Sequence, residues 1–281
     1  MKFKFTFYAF LAVGFLSSCA SDVYYQVYKA EATGAMVQRE NALIYEDDNS
    51  RILYNLWKEG GNMGFQFYNK TDEPIFIHLN KSFFILNEVA HDYYLNRVTN
   101  YSNSSKISVS TNSYSSGEIT GLNFLNLLQT KHIGTGKAAG ASASSGKSIS
   151  YNEVEIVVIP ARTSKIIMEY DITDTVLRNC DLVLYPKRKE IQTQRYSATD
   201  TPLDFSNRIT YSIGQNPELI MLENKFYVSE IANYPEKEIT VEEYEEFCGE
   251  KSTVKTKFFE EVASNKFFLR YEKGNNDSRK H

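Results

Sequence analysis

Arg51-Ile52-Leu53-Tyr54-Asn55-Leu56-Trp57-Lys58-Glu59-Gly60-Gly61-Asn62-Met63-Gly64-Phe65-Gln66-Phe67-Tyr68-Asn69 is a pair of apolar-rich runs around a glycine-rich turn. Arg51 to Trp57 and Met63 to Asn69 read as strands with side chains alternating between two faces. Glu59-Gly60-Gly61-Asn62 between them signals a hairpin, because glycine takes the positive φ angles that tight strand turns require. Downstream, the polar turn Asn69 to Pro74 leads into Ile75, Ile77 and Leu79, again in alternation. Ser82 to Leu86 and His91 to Leu95 follow, with Asn87-Glu88 as a tight turn between them. Upstream, Val23, Tyr25 and Val27 share one face of a first strand, and Asn41 to Glu46 gives a second. Short strands at such regular spacing predict a sandwich instead of βαβ units.

Further along the chain, Val154 to Ile159 is a nearly continuous apolar strand, and Lys165 to Ile172 reads as its neighbour. Glu190 to Ser197, Arg208 to Ile213 and Lys225 to Ile231 continue the series, while Val176 to Tyr185 is apolar without a clear period. Near the C-terminus the period changes. Thr240 with Glu243 makes a capping box, Val241, Tyr244 and Phe247 share a helical face, and Gly249 stands as a stop. This predicts a short helix at about 240–248, with a further helical turn at Phe258, Phe259 and Val262. Phe267, Leu269 and Tyr271 then form a last strand, and the tail from Gly274 is polar.

Between Asn96 and Asn152 the composition shifts. Ser, Asn, Thr, Gly and Ala dominate Tyr101 to Glu118 and Gly134 to Ser150, with an apolar island at Gly121 to Thr130. Polar tracts bury too little surface to offset their ordering entropy, so this is a loop-rich insertion. The expected organisation is an immunoglobulin-like antiparallel β-sandwich over 19–172, carrying the Ser/Gly-rich insertion 96–152. A second β-rich region over 173–281 holds the short helix and final strand.

The first residues carry an address. Lys2 and Lys4 precede an apolar run from Phe5 to Leu16, and Leu16-Ser17-Ser18-Cys19 follows. This is the grammar of an export signal. The run is shorter than the roughly 20 residues a spanning helix needs. The tetrad resembles a bacterial lipobox, which makes residues 1–18 a signal peptide and Cys19 the lipidated N-terminus of the mature protein. Acyl chains contribute about 0.8 kcal/mol per buried methylene, and more than one chain gives stable anchoring. The expected location is therefore the cell envelope, with the outer membrane preferred over the inner. An ordinary cleavage site or an uncleaved anchor are the milder readings of the same residues.

The whole chain has 281 residues, a net charge of −4 and 14% aromatics, with 20 Tyr and 18 Phe. Loss of residues 1–18 removes Lys2 and Lys4 and leaves a more acidic protein. Tyr and Phe favour pleated surfaces, and an acidic chain without a basic stripe lacks the footprint of nucleic-acid binding. Cys180 and Cys248 are left once Cys19 is set aside. In an oxidising envelope they are candidates for a disulfide, or else two thiols that never meet.

Catalytic motifs are weak. Ala141-Ser142-Ala143-Ser144-Ser145-Gly146-Lys147-Ser148 fits a relaxed phosphate-loop string, but lacks the strand before and helix after it that the chemistry needs. His78, His91, His132 and His281 stand in no metal-ligand spacing, and no G-x-S-x-G elbow occurs. Glu242, Glu243, Glu245 and Glu246 read as the solvated face of the expected helix. No cofactor, metal, nucleotide or catalytic residue is expected. Asp174-Thr175-Val176 resembles the short acceptor for O-glycosylation in exported proteins of Bacteroides-type bacteria, which makes Thr175 a candidate modification site.

Several stretches together resemble a group of lipoproteins from Bacteroides-type bacteria for which no activity is established. They are Tyr45 to Asp48 leading into Ile52 to Trp57, Glu59 to Asn62, Phe67 to Asp72, Ser82 to Ile85 with Asp92 to Tyr94, and Phe205 to Arg208. The resemblance implies an envelope β-sandwich and carries over no catalytic residue. The leading expectation is a lipid-anchored binding or assembly module, with the insertion as its partner surface. The alternative is a carbohydrate-binding or adhesion role in which Trp57 or Tyr side chains stack on sugars; an envelope hydrolase comes third.

Overall fold

The computed structural model describes residues 23–39, 41–102, 132–133, 148–274 and 277–281. The expected signal peptide, Cys19, the apolar island and residues 141–147 of the phosphate-loop string lie outside them. In chain order the strands begin with β1 (Val23–Thr33), β2 (Val37–Arg39), β3 (Ala42–Glu46), β4 (Ser50–Tyr54), β5 (Phe65–Asn69) and β6 (Ile75–His78). Next come β7 (Phe83–Leu86), β8 (Val89–Asp92), β9 (Val98–Ser102), β10 (His132–Ile133), β11 (Ser148–Asn152), β12 (Ile156–Ile159) and β13 (Ser164–Ile167). The last are β14 (Thr193–Arg195), β15 (Asp204–Ile213), β16 (Ile220–Pro235), β17 (Thr240–Phe247), β18 (Glu250–Phe259) and β19 (Lys266–Glu272). No α-helix occurs among the described residues, only short 3-10 turns such as Glu236–Glu238.

The fold is mainly β, with several antiparallel sheets, one of them curled into a half barrel. A nine-stranded sheet runs β12-β6-β15-β16-β1-β19, with β14 on β16, β7 on β15 and β8 on β7. A five-stranded sheet runs β13-β5-β4-β3-β2. β1 pairs with both β16 and β19, so the first and last strands of the described chain lie side by side.

Alternation builds the core. In β4, Ser50, Ile52 and Tyr54 are buried while Arg51 and Leu53 face outward. Tyr54 meets Phe226 of β16 edge-on at 5.2 Å, and Phe67 of β5 meets Tyr211 of β15 at 5.4 Å, so the two sheets share one apolar core. Each such ring contributes about 1.5–3 kcal/mol by burial, and the ring pairs add about 0.5–1.5 kcal/mol more. Polar groups cross the same interface in bonded pairs. Asn224 Nδ2 donates to the Tyr54 hydroxyl at 2.9 Å, and Asn207 Nδ2 donates to the Met63 carbonyl at 2.9 Å.

Four expectations need correction. The helix at 240–248 is strand β17, paired along its length with β18. The further helical turn at Phe258 and Phe259 lies in β18. In this hairpin Glu242, Tyr244 and Glu246 stand opposite Lys257, Lys255 and Lys251. Cross-strand charge pairing therefore uses the same residues that would fill a helix face. Cys248 and Gly249, at φ +53 and +84, form the turn where a helix stop was expected. Positive φ serves a primed hairpin turn as well as a helix end.

The third correction concerns Glu59 to Asn62. β4 and β5 do pair, but Tyr54 is opposite Phe65, so the link is the longer loop Asn55 to Gly64. Gly60 is not the tip of a tight turn: its N–H donates to the Phe268 carbonyl at 2.8 Å and its carbonyl accepts from Ile172 at 2.9 Å. Last, β12 and β13 are not neighbours. β12 joins β6 in the larger sheet and β13 joins β5 in the smaller, so the Pro160 to Thr163 turn carries the chain between layers.

Two segments sit on this frame. The insertion enters and leaves through β9 and β11, paired from Val98–Asn152 to Ser102–Ser148. Val176 to Tyr185 forms no strand. Its backbone is held by side chains instead: Gln26 accepts from Leu177 N at 2.7 Å and donates to Leu177 O at 2.9 Å, while Asn233 donates to Val183 O at 2.9 Å.

Candidate ligand-binding cleft

Trp57 was expected within a strand, where core packing would take it. It instead stands just beyond β4, in the loop that docks on β19. The Asn55 carboxamide accepts the Trp57 N–H at 3.1 Å, and Glu59 bridges to Phe268. The indole packs edge-on against Phe259 at 5.0 Å and tilted against Phe268 at 5.1 Å, and Tyr25 closes the cluster against both phenyl rings. The ring thus packs on a small core cluster, as expected of it, while staying only partly buried.

Beside it opens a cleft of about 360 Å³. It is lined by the apolar and aromatic side chains of Val27, Trp57, Tyr234, Ile239 and Phe259 and by Glu238, Glu260, Glu261 and Lys266. Lys266 pairs with Glu261 at 2.7 Å, and Arg188 reaches Glu238 at 3.3 Å. Burial raises the Tyr234 phenol above its ordinary range, partly offset by a hydrogen bond with Thr193 and reinforced by Glu261. Aromatic side chains and carboxylates lining one cleft suit a ligand with an apolar face and hydroxyl or amine donors on its edge. Sequence reasoning named Trp57 but missed Tyr234, Glu238, Glu260, Glu261 and Lys266, which are brought together by the β1–β16–β19 ladder and by the Glu260 N–H donating to the Ile239 carbonyl at 2.9 Å.

Other residues singled out in the sequence are scattered. Thr175 is exposed, and its hydroxyl donates to the Asp174 carboxylate at 2.9 Å. Cys180 and Cys248 are both exposed free thiols and are not joined. His78 Nε2 lies 3.2 Å from the Ser212 hydroxyl, and burial together with Lys81 lowers its imidazole below the usual range. His91 stacks on Phe84 at 5.8 Å. Among the described residues no group of His, Cys, Asp or Glu is arranged to hold a metal ion, and no helix is long and apolar enough to cross a membrane. Lys147 of the phosphate-loop string lies outside the described residues. No family model matches the chain, and no curated protein or solved structure is detectably similar to it.

Proposed function

We propose that this chain is a lipid-anchored protein of the cell envelope, of the Bacteroides-type lipoprotein group, and that it binds a partner instead of catalysing a reaction. Lipid on Cys19 holds it to a membrane, preferably the outer one. The support for the anchor is the basic start, the apolar run and Leu16-Ser17-Ser18-Cys19. The observation that carries the binding reading is the cleft at Trp57, lined by packed aromatic side chains and by charged ones. An immunoglobulin-like sandwich is part of the proposal, supported by two antiparallel layers over one core. The nine-stranded sheet exceeds the roughly three to five strands of an immunoglobulin sheet, so the likeness is one of layering, not strand order.

Cells fed labelled palmitate test the anchor: the wild-type chain takes up label and Cys19→Ala does not. Label retained by the Ala variant overturns it. Pull-down of the lipidated protein from its own envelope tests the binding role.

The cleft favours a second reading, a carbohydrate ligand. Indole and phenol faces stack on the C–H face of a sugar ring, and carboxylates accept its hydroxyls. A glycan array probed with wild type and Trp57→Ala decides it. Hits lost in the variant support it, and an array without hits sinks it.

A further inference from the structure

The outer face of the five-stranded sheet is a second, differently charged surface. Strand register sets its side chains in two rows. Ile44, Leu53, Gln66 and Ile166 stand opposite one another in turn, and Glu46, Arg51, Tyr68 and Ser164 form the next row. A groove of about 630 Å³ lies on this face, lined by Ile44, Leu53 and Gln66 of the first row, by Arg51, Tyr68 and Ser164 of the second, and by Arg162 and Thr163. The first row is largely apolar. In the second, Arg51 lies over the Tyr68 ring, and Arg162 from the turn before β13 lines the same groove.

Arg51 lies 5.0 Å from the centre of the Tyr68 ring, and no carboxylate among the described residues pairs with it. Its cross-strand neighbour Glu46 is taken by Lys70 at 2.9 Å. Arg162 is bonded to Asp72 at 2.9 Å, but both side chains are more than half exposed, so the pair is weak and exchangeable. The groove lining thus holds two guanidinium groups, Arg51 and Arg162, and no carboxylate, on a chain whose net charge is −4. A local positive surface on an acidic protein is a physical preference for an anion.

Gln66 adds a second mark. It is 3% exposed, and its Nε2 donates to the Ser164 hydroxyl at 2.7 Å, yet its Oε1 has no hydrogen-bond partner. Turning the amide over would merely strand Nε2 in its place. A buried amide atom left so is unfavourable, and a donor at the groove floor would relieve it.

We infer that this groove binds an acidic saccharide, a chain of hexuronate units. The guanidinium groups of Arg51 and Arg162 suit the planar carboxylate, which arginine grips through paired N–H donors. The Ile44–Leu53 row suits the C–H face of a pyranose ring. Gln66, Thr163 and Ser164 supply the mixed donors and acceptors that sugar hydroxyls require. A bare phosphate would use the arginines alone and leave the apolar row and the amide without a role.

The test is calorimetric titration of the detergent-solubilised full-length protein with trigalacturonate. The neutral galactose trisaccharide, triglutamate peptide and inorganic phosphate serve as comparison ligands. Trigalacturonate binds, and the neutral sugar binds at least about tenfold more weakly. Raising NaCl from about 0.05 to 0.3 M weakens the acidic sugar only. Arg51→Gln and Arg162→Gln each reduce its affinity about tenfold or more while the circular dichroism spectrum is unchanged. Gln66→Leu weakens binding without lowering the unfolding midpoint. Equal binding of the neutral sugar, tighter binding of triglutamate or phosphate, no binding of trigalacturonate, or unaltered affinity in both arginine variants overturns the inference. Loss of sugar binding at Trp57→Ala would leave this groove untouched, so the two sites fail separately.

Discussion

Tyr93 and Asn207 are joined by a buried hydrogen bond of 2.6 Å, the phenol donating to the carboxamide oxygen. Asn207 is fully buried, and its Nδ2 donates in turn to the Met63 carbonyl at 2.9 Å. One amide thus ties three separate segments: the end of the β8 hairpin, the long loop before β5, and β15. Burial keeps the Tyr93 phenol protonated and able to donate, well above its usual range. Asn207→Ala strands both the phenol and the carbonyl, and its expected cost is about 3 kcal/mol. Tyr93→Phe strands only the amide oxygen and costs about 1–2 kcal/mol. Urea unfolding midpoints rank the two variants, and a Tyr93→Phe loss equal to or above that of Asn207→Ala contradicts the arrangement.

Gly61 and Gly34 both hold positive φ, at +78 and +94, but in different surroundings. A Cβ on Gly61 would stand 2.6 Å from Ile172 Cδ1 and 2.9 Å from Phe267 Cγ, both in the core. A Cβ on Gly34 meets nothing within 4 Å. Gly34→Ala therefore pays backbone strain alone, about 1 kcal/mol. Gly61→Ala adds steric overlap against packed side chains, for a total of about 3 kcal/mol. Thermal midpoints of the two variants give the ranking; equal shifts would mean that the loop does not dock as described.

These glycines also show where the sequence was legible. Local signals served well where the chemistry was local. Asn87 and Glu88, at φ +46 and +69, make the tight turn expected between β7 and β8. Alternation located β4 and β6, whose burial follows a period of two, although the β4 reading ran on through Trp57, three residues past its end. What failed was non-local. Gly60-Gly61 advertises a turn, but which strand its backbone meets depends on Phe268 far along the chain. Thr240 to Phe247 satisfies helix capping rules, yet the lysines of β18 decide in favour of a strand. The Trp57 cleft was half legible: an aromatic stood out, while the carboxylates around it carry no shared spacing. The outer groove left no local signal, since Gln66 and Arg162 become neighbours only through β5–β13 pairing.

Cys180 and Cys248 give a test of connectivity. Both thiols are exposed and unbonded. In a chain carrying Cys19→Ala, a disulfide-exchange reagent should titrate both in the folded, unreduced protein, at similar rates. Cys180→Ser or Cys248→Ser should each remove one equivalent. No titratable thiol before reduction would instead establish the bridge that an oxidising compartment permits.

The Arg97–Glu153 pair clasps the base of the insertion, next to the β9–β11 ladder. Arg97 contacts Glu153 at 2.7 Å and also bonds Glu169; the second Glu153 oxygen accepts the N–H groups of Leu95 at 2.9 Å and Arg97 at 3.0 Å. Burial by itself would raise the Glu153 carboxyl, but the Arg97 guanidinium and the two amides outweigh it and hold the group below the usual carboxylate range. A carboxylate whose folded pKa is depressed lends stability above its unfolded value, roughly 4.3, and loses it as pH falls through the folded value. Glu153→Gln keeps the shape but removes the charge. At pH 7 the wild type should exceed this variant by about 1.5 kcal/mol, the scale of hydrogen bonds to a charged group. As pH falls through the depressed folded value the gap should close, because the wild-type carboxyl is then protonated as well. Urea titrations of both proteins over a descending pH series from 7 measure the gap, and a difference that stays constant would show that charge on Glu153 does not clasp the insertion.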